Sequence, residues 1–230
     1  MRHTLLAATL ALAFSGAAFA HEPGNFIVRA GAMHIAPDVD SSKIRLNGVD
    51  HSGSKAEVPS TTSLLNLTGT WIFAPHLGLE LMLGGPVSYD IKIKGVSSGN
   101  IANGSLATVT QQPITASLQF FFLNPKSRFQ PYVGVGLNYT SFYDERFKRR
   151  QKRLGFRRLE LEDSVGWALQ AGMDIALTDR LYLNAAAWKI DIDTKAKGKG
   201  HWGWGGNEQR VKFDMEIDPW MYFVGVGYKF

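Results

Sequence analysis

Residues 221–230 have the sequence MYFVGVGYKF, in which large apolar side chains alternate with a set that includes Gly225 and Gly227. Successive side chains of a β-strand point to opposite faces of the sheet, so the stretch predicts a strand with one large apolar face and one small face. The same contrast returns in PYVGVGLNYT, residues 131–140, where two glycines and an asparagine alternate with larger residues.

The size contrast between the two faces predicts which of them points outward. A soluble lipocalin-like barrel would place the large apolar face inside and the glycine-rich face toward water. A narrow barrel has little interior volume, so small residues are expected inside and large ones outside, and the soluble arrangement does not give a properly filled core. A membrane barrel turns the large face toward lipid and closes its sheet, so that no backbone edge meets hydrocarbon. We therefore predict a membrane barrel in which Gly225 and Gly227 face the interior and leave room there for a path.

Alternation of this kind recurs along the chain and predicts eight strands. We place them near residues 26–36, 61–74, 77–95, 112–123, 129–143, 162–177, 180–195 and 209–230. Short connections alternate with long ones, which puts all short turns at one end of the barrel. The sequence thus predicts an all-β fold, an eight-stranded antiparallel up-and-down transmembrane β-barrel with short periplasmic turns and long extracellular loops.

Residues 1–20 are predicted to be a cleaved signal peptide. A short basic start precedes the apolar run 4–14, and Ala18-Phe19-Ala20 supplies the small-x-small pattern of a cleavage site. The run is shorter than the roughly 20 apolar residues that a spanning helix needs. We expect residues 21–230 to form a single barrel domain in a bacterial outer membrane.

Aromatic residues near the strand ends predict interfacial girdles. The residues are Trp71, Phe73, Phe120, Phe122, Tyr132, Tyr222 and Tyr228. The final Phe230, with its free carboxylate, resembles the signal recognised by the outer-membrane barrel assembly machinery, so that machinery is a predicted partner. We expect the barrel to be a monomer.

The sequence carries no recognisable catalytic or cofactor motif. It has no cysteine, which excludes thiolate chemistry and cysteine–zinc sites, and it lacks nucleophile-elbow, Walker and His-Glu-x-x-His motifs. His34 is the one histidine inside a predicted strand, where a polar rim position is the expected role. Asp191 and Asp193 form only a weak calcium pattern. We predict no enzyme activity, no cofactor and no metal site.

Charged residues on the small-residue faces predict ion pairs inside the barrel. Glu80 and Asp174 lie on such faces, and Arg29 and Arg180 lie on similar ones. A buried charge requires a partner, so we expect these four side chains to pair in the interior.

The net charge of +5 comes largely from two basic runs, residues 148–158 and 195–199. Nucleic acid is not an expected partner of an exported chain, so a solvated loop is the default interpretation. The more specific one is contact with the phosphates of lipopolysaccharide. Its candidate residues are Lys148, Arg149, Arg150, Lys152, Arg153, Arg157 and Arg158.

Several motifs in a fixed order resemble the OmpW family of small outer-membrane proteins, over essentially all of residues 21–230. They are RAG at 29–31, LGLEL at 77–81, FQPYVGVGLNYT at 129–140, DSVGW at 163–167, WKIDIDT at 188–194 and IDPW at 217–220.

The resemblance implies an apolar channel that is closed toward the periplasm. Small hydrophobic molecules would enter from outside and leave sideways into the membrane, past two interior gating side chains that correspond to Met82 and Trp188. Met82 replaces the family's usual leucine with a more adaptable residue. The plain alternative is that both side chains simply pack a narrow barrel. The alternative function is a structural or surface-interaction barrel, a receptor or lipopolysaccharide binder, with no transport role.

Overall fold

The computed structural model describes residues 21–42, 44–46, 49–51, 54–94, 104–153, 156–201 and 208–230. The predicted signal peptide, residues 1–20, lies outside these ranges. Within them no helix is long and apolar enough to cross a membrane.

The described elements are almost all strands. In chain order they are β1 (Phe26–Ala36), β2 (Asp40–Ser41), β3 (Ile44–Leu46), β4 (Val49–His51), β5 (Lys55–Glu57), β6 (Thr61–Ala74), β7 (Leu77–Leu83), β8 (Val87–Lys94), β9 (Gly104–Phe121), β10 (Phe129–Phe147), α1 (Arg149–Arg153), β11 (Phe156–Leu161), β12 (Ser164–Ala176), β13 (Leu181–Ile190), β14 (Asp193–His201), β15 (Glu208–Glu216) and β16 (Trp220–Lys229).

Eight of these strands close into an antiparallel barrel. Their order around the wall is β1-β6-β7-β9-β10-β12-β13-β16, and β16 pairs with β1 through a register that runs from Ile27 opposite Lys229 to Ala36 opposite Trp220. The short connections 75–76, 122–128 and 177–180 all lie at one end, here called the turn end. The opposite end is the loop end. The predicted eight-stranded up-and-down barrel is confirmed.

The loop end carries more regular structure than the sequence predicted. The long connections contain a six-stranded sheet made of β2, β3, β4, β11, β14 and β15, called here the extension sheet, while β8 and β5 continue the barrel wall. Three strands predicted to be continuous, 77–95, 180–195 and 209–230, are each broken into two, at residues 84–86, 191–192 and 217–219. Proline, which cannot donate to a strand ladder, stands at two of these breaks as Pro86 and Pro219.

The outer wall of the barrel is apolar, as the alternation predicts. Leu79 and Leu81 on β7 are exposed, whereas Gly78, Glu80 and Met82 between and beyond them are buried. A contiguous apolar exterior of this extent is unsuited to water and suits contact with lipid. The wall therefore has the lipid-facing polarity of a membrane barrel.

Six of the seven predicted girdle aromatics lie on the exterior, namely Trp71, Phe73, Phe120, Phe122, Tyr222 and Tyr228. Rings pair along the wall, with 5.4 Å between the centroids of Phe120 and Phe122 and 6.3 Å between Trp220 and Tyr222. The prediction for Tyr132 is wrong, because its side chain is only 2% exposed and faces the interior. Tyr132 and Gly134 are two residues apart on β10 and therefore face the same side, the interior. The Tyr132 ring fills the barrel beside Gly172 of the neighbouring strand β12.

The expectation that Gly225 and Gly227 leave room for a path is also wrong at Gly225, whereas a Cβ atom on Gly227 would lie 3.1 Å from Arg29 Cγ. A Cβ atom on Gly225 would lie 2.5 Å from the ring of Phe223, and one on Gly172 would lie 2.5 Å from the ring of Tyr132. These glycines accommodate large inward side chains, so the volume that they free is already filled.

Candidate functional site in the barrel interior

A buried arginine organises the interior near the turn end. The Arg29 side chain on β1 crosses the lumen, where Nε donates to Oδ1 of Asp174 on β12 at 2.9 Å and Nη2 pairs with the second carboxylate oxygen. Its Nη1 donates to Thr70 Oγ1 at 2.6 Å and lies 3.4 Å from Glu80 Oε2. All four side chains are buried, so the charges compensate one another out of contact with water.

Amide side chains extend this arrangement around the wall. Gln170 Nε2 donates to Glu80 Oε1 at 2.8 Å, and Gln119 Nε2 donates to Gln170 Oε1 at 3.1 Å. Asn184 Nδ2 donates to Asp174 Oδ1 at 2.8 Å. Asn184 Nδ2 also donates to Tyr132 Oη on β10 at 3.1 Å, so seven of the eight barrel strands contribute a side chain to one hydrogen-bonded network that ties opposite walls together.

The segment before β1 covers this network from the turn end. His21 Nε2 lies 2.9 Å from Asp174 Oδ2, and the His21 backbone N–H donates to the carbonyl of Pro125 at 3.0 Å. The imidazole packs 4.5 Å from the ring of Phe121, measured between centroids. We call the whole set the polar plug; it comprises His21, Arg29, Thr70, Glu80, Gln119, Gln170, Asp174 and Asn184.

Three of the four charges predicted to pair inside do so, and one does not. Arg29, Glu80 and Asp174 form the centre of the polar plug. Arg180 is exposed, and its Nη1 donates to Tyr228 Oη at 3.3 Å. The prediction was wrong because Arg180 belongs to the turn before β13, where strand alternation does not set the direction of a side chain.

The neutral members of the polar plug were not predicted from the sequence. Gln119, Gln170 and Asn184 each lie at an inward position of a strand, a parity that the flanking exposed apolar residues indicate. His21 carries no such signal, because it precedes the first strand and reaches the lumen by folding of the chain.

Met82 and Trp188, the two predicted gate positions, both point inward and border the polar plug. Met82 lies two residues beyond Glu80 on β7, and Trp188 pairs in register with Gln170. Both are buried, and the Trp188 ring lies 6.2 Å from that of Phe223 in an edge-on arrangement. Trp188 Nε1 finds no hydrogen-bond acceptor in the described part of the chain.

Beyond these two positions the interior is apolar toward the loop end. One contiguous cluster of buried side chains includes Met82 and Trp188 and continues through Met33, Ile35, Ile91, Val109, Ile190, Phe213, Met215, Met221 and Phe223. The lumen is therefore mainly apolar toward the loop end, where buried Asn66, Asn138 and Thr140 also line it, and carries its buried charges in the polar plug nearer the turn end. We call the loop-end part the apolar half.

The basic loop residues predicted to contact lipopolysaccharide are divided between α1, the residue before it and β11. Lys148 Nζ lies 2.7 Å from Asp90 Oδ1, and this bond holds the pKa of Asp90 below its usual range. Arg158 belongs to the extension sheet, where its Nε lies 3.3 Å from Glu160 Oε1. The others are exposed on α1 or at the start of β11; they are Arg149, Arg150, Lys152, Arg153 and Arg157.

Three aspartates gather at the rim between β13 and β14. Asp218 joins Asp191 and Asp193, and one carboxylate oxygen from each lies within 4.8 Å of the others. Burial, and then the neighbouring carboxylates, raise the pKa of Asp191. Asp218 Oδ1 also accepts from the Ile192 N–H at 3.2 Å, which fixes the turn. Calcium takes six to eight oxygen ligands, so three carboxylates supply only part of such a shell.

His34 lies on the rim, as predicted. Its ring is exposed, and Nδ1 lies 3.1 Å from Thr62 Oγ1 on the neighbouring strand.

Comparison with known proteins gives one consistent result. The model of the OmpW family matches residues 22–230. Outer membrane protein W of Vibrio cholerae serotype O1 is 36% identical over 223 residues, which cover 97% of this chain and 96% of that protein. The crystal structure of the outer membrane protein OprG from Pseudomonas aeruginosa matches with a TM-score of 0.85 and 40% identity, covering 92% of this chain and 98% of OprG. The solid-state NMR structure of outer membrane protein AlkL, at 18% identity and a TM-score of 0.59, covers 95% of both chains and shares the fold.

Proposed function

Because this chain belongs to the OmpW family of outer-membrane barrel proteins, we propose that it is a channel for the passive uptake of small hydrophobic molecules. In the outer membrane the turn end faces the periplasm and the loop end faces outward. A solute would enter at the loop end, follow the apolar half of the lumen, and leave through the barrel wall into the membrane.

The observation that carries the proposal is the division of the lumen into two halves. An apolar solute gains roughly 25 cal/mol for each Å² of apolar surface that leaves water, and the apolar half offers that gain. The polar plug offers none, because its buried charges are already paired and would lose their partners if a solute displaced them. Lateral exit is therefore favoured over release into the periplasm.

Met82 and Trp188 stand where the apolar half meets the polar plug. We assign them the role of a constriction that turns the solute toward the wall. Methionine has three flexible bonds and adapts to different shapes, which suits a passage for varied solutes.

The test is uptake of the hydrophobic dye N-phenylnaphthylamine by cells that express the wild type, Met82→Trp or Met173→Trp, against a deletion strain. Met173 is a methionine of β12 that lies on the lipid-facing wall, so it is the matched control. The larger ring at Met82 overfills the lumen, and we expect several-fold slower dye entry, while Met173→Trp behaves as the wild type. The folded barrel in outer-membrane fractions is quantified by its heat-modifiable gel mobility.

Equal dye entry in the wild type, Met82→Trp and the deletion strain, at equal barrel abundance, would exclude the channel function. That result would favour the alternative of a surface-interaction barrel, for which interior substitutions have no effect.

A further inference from the structure

The outward side of the extension sheet gathers five cationic side chains in register. Lys199 on β14 stands opposite Arg158 on β11 and opposite Arg210 on β15, and Lys197 stands opposite Lys212. All five are exposed, and together with Glu160 and Gly198 they line a depression of about 280 Å³. We call these five residues the basic face.

Neighbouring carboxylates balance only part of this charge. Arg158 pairs with Glu160, and Lys197 pairs with Glu162. Among the residues that the structure describes, no carboxylate forms an ion pair with Lys199 or Lys212. Like charges directly opposite on neighbouring strands repel, and Lys199 stands between Arg158 and Arg210, so an anion bound at this position would relieve the repulsion.

The basic face is not needed to hold the sheet together. The inward side chains of the same strands are apolar and buried, among them Leu159, Ala196, Phe213 and Met215. Outward charges contribute little to such packing, and exposed ion pairs are worth at most about 1 kcal/mol. Stability of the sheet therefore does not explain why like charges stand opposite one another, and we look for the reason in a binding partner.

The distance of the basic face from the membrane rim indicates which anions it can reach. Exposed Trp167 and Trp220 mark the rim of the wall, and the Asp191 backbone N–H donates to the Trp167 carbonyl at 3.0 Å. β14 leaves this rim at Asp193, so Lys197 and Lys199 lie on the order of 10–20 Å beyond it at about 3.3 Å per residue. That is the level of sugars attached to lipid headgroups, above the acyl chains.

We propose that the basic face binds the phosphate groups on the sugar core of lipopolysaccharide, the polyanionic lipid that surrounds an outer-membrane barrel. Several Arg and Lys side chains around a shallow depression suit a branched, multiply phosphorylated sugar, because each phosphate accepts charge-assisted hydrogen bonds from more than one cation. The binding would anchor the extension sheet to the outer leaflet, independently of any solute in the lumen.

The test compares two triple variants of the full chain folded in detergent micelles. Lys199→Gln/Arg210→Gln/Lys212→Gln removes three charges from the basic face. Arg149→Gln/Arg150→Gln/Lys152→Gln removes three exposed charges from α1 and is the matched control. Fluorescence titrations use three probes: purified lipopolysaccharide with a phosphorylated core, the same material after enzymatic dephosphorylation, and inorganic tripolyphosphate. Lys199→Gln alone provides a milder variant with the rest of the sheet intact.

We expect the basic-face variant to bind phosphorylated lipopolysaccharide roughly tenfold more weakly than the wild type, and the α1 variant within about twofold of it. Dephosphorylation should weaken wild-type binding to a similar degree, and added salt should do the same. Lys199→Gln alone should weaken binding about twofold to threefold.

Three results would overturn the proposal: unchanged affinity in the basic-face variant, binding that does not depend on phosphate, or a larger loss in the α1 variant. Tight binding of tripolyphosphate without binding of lipopolysaccharide would show a site for soluble anions, which also contradicts the assignment.

Discussion

At the scale of the residue, Arg29 is the side chain on which the interior depends most. Its guanidinium joins β1 to β12 through Asp174 and approaches Thr70 on β6 and Glu80 on β7. A charge enclosed by protein and lipid is strongly disfavoured unless its partners are present, so each member of this group depends on the others.

Replacement of Arg29 by methionine should therefore destabilise the barrel by about 3–5 kcal/mol, because Asp174 and Glu80 would be left as uncompensated buried charges. The free energy of unfolding is measured by urea titration in lipid vesicles. Arg180→Met, which removes an exposed arginine, is the control and should change it by less than about 1 kcal/mol. Similar losses in the two variants would contradict the central role of Arg29.

The alternation of side chains along a strand predicts whether a residue points inward or outward. It gave the correct direction for some residues and was not applied to others. Glu80 and Asp174 were placed inward correctly because the alternation of β7 and β12 is regular around them. Tyr132 has the same inward parity on β10, but its aromatic character suggested a girdle. For Tyr132 the alternation along the strand gave the correct direction and the aromatic character did not. Alternation gives no direction for Arg180, because that residue lies in a turn.

At the scale of the element, the break after β7 changes which side of the strand is apolar. Leu81 and Leu83 face lipid, whereas Tyr89 and Ile91 on β8, also at odd positions, face inward. Residues 84–86 shift the phase between them. An apolar residue belongs outside in lipid and inside in water, so the reversal marks the level at which the wall leaves the membrane.

This reversal explains why the sequence predicted one strand over 77–95. The apolar residues stay on odd positions throughout, so periodicity alone shows no interruption. Only the tertiary structure, in which β8 pairs with the outer part of β9, reveals that the face has changed.

Asn66 on β6 secures the break. Its Oδ1 accepts from the Gly85 N–H at 2.9 Å, and its Nδ2 donates to the Ser63 carbonyl at 3.0 Å. Asn66→Ala leaves the partly buried Gly85 N–H without this acceptor, which costs up to about 1–3 kcal/mol locally. We expect amide hydrogen exchange at Gly85 to accelerate at least about tenfold in NMR measurements.

Asn138→Ala is the matched control, because Asn138 is also buried but bonds to Thr115 on β9 and not to the break. Exchange at Gly85 should stay at the wild-type rate in that variant. An Asn66→Ala protein with wild-type exchange at Gly85 would show that the break is held by other contacts.

At the scale of the whole molecule, the strand number and the closed wall could be predicted, because both follow from alternation and from the lengths of the connections. The extension sheet could not, since its strands β2 to β4 are only two or three residues long and lie in Gly-, Ser- and Lys-rich segments. Of the polar plug, only the charged residues Arg29, Glu80 and Asp174 were predicted. The other members join it through contacts across the lumen, which strand alternation does not show.

Phe230 is predicted to matter for assembly more than for stability. Its N–H donates to the Phe26 carbonyl at 2.9 Å, and its exposed ring lies 4.9 Å from that of Tyr228. Phe230→Ala should lower the amount of folded barrel in outer-membrane fractions several-fold in cells, by heat-modifiable mobility. Refolding yield from urea into detergent should not change.

Phe129→Ala is the control, since Phe129 is an exposed phenylalanine at the turn-end start of β10. Its abundance in cells should match that of the wild type. An equal loss in both variants would point to lost apolar surface, and would contradict a specific role for Phe230 in recognition by the assembly machinery.

The pairing of β1 with β16 has a consequence for the timing of synthesis. The first strand of the barrel finds its second neighbour only in residues 220–229, more than 180 positions later in the chain. Until the ribosome has supplied that last strand, β1 keeps an unpaired edge, and the apolar wall cannot be sealed. We therefore expect the barrel to close only after synthesis is complete, and a product clipped inside β16 to keep an open edge and be a substrate for proteases.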